Sequence, residues 1–271
     1  KNKKYTFSLP PEAGKIIEKE ITPTPIPIEK EIFDCKKDQK NLGEKWKNYF
    51  PKQTVSIHYV NTSDKCSFEL ILNIIKNFIP DTTILSIIQV KDILIEEYSK
   101  YYKENYKIGN ILKLQGKTKL ANKLLLGQIN HETAINAEDY YLSNLDIILI
   151  SKHLKLPIVL LSSRTLKENG KSFLVINNSP SSEYYFILEQ PTKPDAIPSY
   201  RLFVHNKNSK FNLNQINLPF QTDLKISTEL NFDEYINKLK IEKPKLQIVN
   251  KIKQPITVTK PVTKPVTKLI H

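Results

Sequence analysis

The sequence predicts an α+β domain, with helices packed on one small, mostly antiparallel sheet. Two observations carry that reading. Between Cys66 and Lys155 apolar residues recur at helical spacing. From Pro157 to Val204 the pattern shifts to short runs rich in β-branched and aromatic residues, separated by turn-formers. An earlier short strand precedes the helices: Val55 to Val60 alternates apolar and polar residues. The first helix begins near Cys66, where Phe68, Leu70, Ile71, Ile74, Ile75 and Phe78 share a face, and Pro80 ends it. Val90 to Tyr102 and Ile111 to Leu126 read as two more helices. Tyr141 to Lys155 reads as another, with Ser143 and Asp146 spaced as a capping pair. Strands are then expected at 157–161, 172–176, 184–188 and 200–204.

The ends differ in composition from this body. Residues 1 to about 45 read as a Pro-rich connector, since the alternate prolines of Ile21 to Ile28 remove backbone donors and favour an extended course. Residues 46–237 form the expected domain. Residues 238–271 read as a flexible Lys/Pro-rich tail, repeating Thr-Lys-Pro-Val. The chain begins at Lys1 and contains no methionine, so it reads as a piece of a larger polypeptide.

Charge and cysteine usage exclude several classes. The formal charge is +13, but nine lysines and one acid in residues 238–271 account for +8 of it. Arg164 and Arg201 are the only arginines, so a base-reading surface is not expected; the lysine tail allows weak, sequence-blind contact with nucleic acid. Two cysteines cannot staple a secreted mini-domain, and no Cys/His cluster has zinc spacing. No apolar run reaches membrane-spanning length, and no signal peptide is visible. With six glycines, no phosphate-binding loop motif occurs.

Cys66 stands out for chemistry. It lies between the polar turn Asn61–Lys65 and an amphipathic helix, where free N–H groups and the helix dipole favour a thiolate. The competing reading is a buried cysteine acting as a small hydrophobe. Asp64 could orient a histidine, though capping the helix is the commoner role for an aspartate there. His205, at the end of the last strand, could act as a base, or simply face solvent by alternation. His153, His131 and His58 read as an exposed helical, a loop and a strand residue, and Cys35 as a free thiol in the connector.

Two blocks resemble the ovarian-tumour (OTU) cysteine peptidases. Ser63-Asp-Lys-Cys66-Ser-Phe68 is similar to the family's D-G-N-C-L-F at a helix start. It keeps the cysteine and phenylalanine, lacks the glycine, and places the aspartate two residues before the cysteine where the family has three. Asp146 to Leu160 resembles the pattern E-L-x-A-L-S-x-x-L-x-x-x-I-x-V, with Leu149 in place of the small alanine. In the third block, aligned on Phe211, Lys210 stands where the family has its histidine, and His205 comes five residues earlier.

The resemblance implies a papain-like OTU-type architecture and a deubiquitinase-type thiol (iso)peptidase. Cys66 would be the nucleophile, His205 the base and Asp64 the third site residue, with no cofactor and no metal. Ubiquitin or a ubiquitin-like protein would be the partner. The departures imply an alternative, a catalytically degenerate module for binding or virion assembly within the larger polypeptide. Protein partners are then expected, without membrane. The abundance of Lys, Ile and Asn suits AT-rich coding, as in some large DNA viruses and protozoa; a large DNA virus is the expected source, with cytoplasmic or virion-associated localisation.

Overall fold

A computed structural model describes residues 35–59, 65–84, 86–101, 105–166, 169–190, 197–231 and 234. Among them, seven strands and eight helices form an α+β fold around a mixed sheet. The strands are β1 (Lys37–Asn41), β2 (Val55–Tyr59), β3 (Ile158–Ser162), β4 (Phe173–Val175), β5 (Glu183–Gln190), β6 (Ser199–Val204) and β7 (Lys210–Asn212). Their order is β1-β2-β6-β5-β3-β4, with β7 also pairing with β5. Only β3 and β5 pair in parallel; the other pairs are antiparallel.

The chain inserts six helices between β2 and β3: α2 (Cys66–Phe78), α3 (Ile87–Tyr101), α4 (Asn105–Leu114), α5 (Thr118–Leu125), α6 (His131–Asn136) and α7 (Asn144–Leu154). Their apolar stripes meet one face of the sheet in a core containing Ile71, Ile75, Leu94, Ile148, Leu160 and Ile187. The other face is covered too, by elements at both ends of the described chain. There Trp46 of α1 (Glu44–Lys47) and Phe220 of α8 (Leu218–Ile226) close over an aromatic cluster. The Phe50 ring lies 4.9 Å from Phe186 and 4.9 Å from Phe203, edge to face. Because both faces are packed, β3 is buried along all five residues and reads as a continuous apolar run.

Two sequence expectations need correction here. The single helix expected over 111–126 is a helical hairpin. Gly116, at φ +82°, turns the chain after α4, and the Lys117 N–H bonds the Leu112 carbonyl in a helix-ending motif. The hairpin packs closely, since a Cβ on Gly109 would lie 2.7 Å from the Leu125 side chain. The connector expected to run to about residue 45 gives way earlier, because β1 pairs with β2 over five residues and α1 begins at Glu44. Its polar sequence, Lys-Asp-Gln-Lys-Asn, carries no apolar signal. An exposed edge strand needs none, and charge there discourages sheet-to-sheet pairing.

Candidate functional site

Cys66 is the first residue of α2, as the sequence predicts, and the amides of Phe68 and Glu69 already bond the Lys65 carbonyl. It is not a free thiol. Cys66 is fully buried and forms a disulfide with Cys35, with Cα atoms 5.7 Å apart. The expectation of Cys35 as a free connector thiol is corrected by the same bond. Cys35 lies two residues before Lys37, whose partner across the ladder is Tyr59, so the β1–β2 pairing carries it to the mouth of α2. As a disulfide, Cys66 has no lone thiolate to offer as a nucleophile.

His205 lies at the opposite end of the same strand pair. Val204 pairs with Val55, so His205 falls level with Thr54, whose hydroxyl is 3.4 Å from His205 Nδ1. Cys66 is held at the Tyr59 end by its bridge to Cys35. The four residue steps of β2 hold those ends about 13 Å apart at the usual strand rise. Faces differ as well. Val204 packs into the helix-side core, so alternation carries His205 to the other side. A tight turn follows: Asn206 and Lys207 both adopt positive φ, and His205 and Asn208 exchange backbone hydrogen bonds.

That turn delivers Lys210 into β7, opposite Tyr185, farther along β5 from the Cys66 end, with its ammonium 3.6 Å from Glu183. Neither residue considered for the base position is therefore carried toward Cys66. Asp64 lies outside the described residues, as do the tail residues 238–271.

The other histidines have structural surroundings. His58 accompanies Ser56 and Arg201 on the face away from α2, and its Nε2 is hydrogen-bonded to the Ser199 hydroxyl. Burial, reinforced by the Arg201 charge, holds its pKa below the ordinary value. His131, read from sequence as a loop residue, opens α6 and lies 2.9 Å from the Ser99 hydroxyl. His153 Nδ1 is 2.7 Å from Glu97 Oε1, and with Glu96 these donors lie within 4.8 Å of one another. The Lys100 ammonium already answers that negative charge, at 2.8 Å from Glu96 and 2.7 Å from Glu97.

Compared with family models, with curated proteins and with solved structures, the chain matches none of them.

Among the described residues the richest polar cluster is one of which sequence reasoning found only the Ser143–Asp146 pair. Asp146, fully buried, accepts hydrogen bonds on one oxygen from the hydroxyls of Tyr98 and Tyr140, each at 2.9 Å. Its other oxygen accepts from the Ser143 amide and hydroxyl, each at 2.7 Å, and from the Lys117 ammonium at 2.5 Å. Lys117 Nζ also lies 3.9 Å from the centre of the Tyr140 ring. Burial pushes the Lys117 pKa down, opposed by the charge of Asp146. Burial, then the same charge, pushes Tyr140 well above its usual value. Every hydrogen-bonding position of the carboxylate is in use and both charged side chains are wholly inside. The network fastens α3, α5 and α7 together and leaves no opening for a substrate.

A pocket of about 240 Å³ lies beside β4, lined by Phe173, Val175, Lys171, Glu229, Leu230 and Glu234. The Leu230 amide bonds the Val175 carbonyl there, so the segment after α8 partly covers the edge of β4. No helix among the described residues is long and apolar enough to cross a membrane.

Proposed function

We propose that this chain contributes an OTU-like α+β body that works as a protein-binding module, and that its thiol does not catalyse peptide hydrolysis. The Cys35–Cys66 disulfide carries the reading. It ties up both cysteine sulfurs of the chain, and it fixes them at the strand end remote from His205. Thiol peptidases need a thiolate and a base within hydrogen-bond reach, so that the base can take the thiol proton and return it to the leaving amine. Breaking the bridge would release a thiol without moving His205 or Lys210 along their strands. The departures from the OTU motifs, with lysine at the histidine position and no glycine before the cysteine, agree with a module that has kept a scaffold without its chemistry.

A ubiquitin-derived electrophilic probe and a panel of diubiquitins test this, on the chain as isolated and after reduction. No cleavage is expected in either state, and Lys210→His should not create any. Cleavage by the reduced chain that is lost in both Cys66→Ala and His205→Ala would establish the peptidase reading instead.

A further inference from the structure

We propose that the Cys35–Cys66 bridge is a thiol-operated latch on the edge strand β1, a role independent of whether the body binds or cleaves ubiquitin-like proteins. Apart from the bridge, β1 has no apolar side chain to bury; it is held by its ladder, by polar and charged contacts, and by the Lys37 ammonium 5.3 Å from the Tyr59 ring. It pairs with β2 over five residues, of which four are exposed and none is apolar. Arg201 Nη2 donates to the Asp38 carbonyl at 3.1 Å, the Ser56 hydroxyl to the Lys40 carbonyl at 3.2 Å, and Lys37 pairs with Glu69 at 2.9 Å. β2 is fixed by its other neighbour β6, whereas β1 is an edge strand that adds no apolar side chain to the core, so the covalent tether decides whether it stays docked. Departure of β1 would bare the outer edge of β2, a row of backbone donors and acceptors that β1 now pairs.

The geometry also gives the latch a direction of opening. Cys35 is partly exposed and Cys66 is wholly buried, so an incoming thiolate of the glutathione class attacks the Cys35 sulfur. A bond forms between the two, the Cys35–Cys66 bond breaks, and its electron pair leaves on Cys66. That thiolate is released at the N-terminus of the thirteen-residue α2, where the helix dipole favours negative charge and speeds departure, and it then takes a proton from solvent. A second small thiol attacks the mixed disulfide, which returns Cys35 as a thiol and leaves the small-molecule disulfide. Two thiols have supplied two electrons to the two protein sulfurs.

Hydrogen exchange of the whole chain, read by mass spectrometry with and without glutathione, tests the latch. Exchange over residues 37–41 should rise on the order of tenfold or more beyond any rise on reduction over residues 158–162 of the interior strand β3, which reports only the global loss of stability. The Cys35→Ser variant should show the same pattern without added thiol, and limited glutathione should leave its adduct on Cys35. Unchanged exchange at 37–41 in reduced wild type would overturn the proposal. So would a first adduct on Cys66, or an equal rise at residues 37–41 and 158–162, which would make the bridge a staple for the whole fold with no local opening of β1.

Discussion

Asp146 shows how far single residues can be read. Its pairing with Ser143 as a helix cap is visible from the three-residue spacing, and both hydrogen bonds of that pair form. Its ion pair is not visible, because Lys117 lies 29 positions away, and periodicity submerges it in one long helix. The pair predicts a large single-mutant effect. Lys117→Met removes the cation and leaves a buried carboxylate, which should cost about 3–5 kcal/mol in denaturant unfolding. Lys117→Met with Asp146→Asn should cost much less than the two single changes added. His58 predicts a pH effect of definite sign. Its pKa is held below 6.5 in the fold, so the unfolded chain binds the proton more readily. Stability is therefore present above 6.5 and falls as pH drops through the folded-state value. His58→Gln, which keeps a partner for Ser199, should flatten the melting-temperature profile between about pH 7.5 and 5.5. An unchanged slope would remove His58 from the account.

At the scale of elements, the long periodic helices and the four later strands were legible because each buries an apolar face against the same core. The structure starts the capped helix at Asn144, three residues later than its pattern, since Tyr140, Tyr141 and Leu142 are buried in non-helical chain before the cap. Short or polar elements left no trace: β1 is polar, and β7 and α1, though they bury Phe211 and Trp46, are only three and four residues long. The hairpin of α4 and α5 was missed because a single glycine breaks a run that stays amphipathic on both sides. Gly116 supplies the left-handed residue that ends α4. Gly116→Ala should lower stability by about 1 kcal/mol although the added methyl meets only the Tyr141 hydroxyl at 3.6 Å. The cost is conformational, so a thermal melt that is unchanged would contradict this view of the turn.

For the whole molecule, sequence supplied the class and placed Cys66 at a helix start, but not the partner that defines it. Cysteine pairing depends on which strands meet, and β1 was hidden in the connector, so Cys35 had no reason to be placed beside Cys66. The same blindness affected the base. His205 sits at a strand end in any reading, and only the β2–β6 register shows that this end is the one away from α2. A 31-residue separation between the bridged cysteines limits the unfolded chain by about 3–4 kcal/mol in the chain-entropy view, so the bond matters to stability as well as to access. Its existence is the claim on which the silent-thiol reading and the latch both depend. A peptide map of the folded, air-exposed chain, alkylated before any reduction, tests it directly. The account predicts a linked pair of peptides containing Cys35 and Cys66, with neither cysteine alkylated until a reductant is added. Alkylation of both cysteines in the unreduced, folded protein would contradict it.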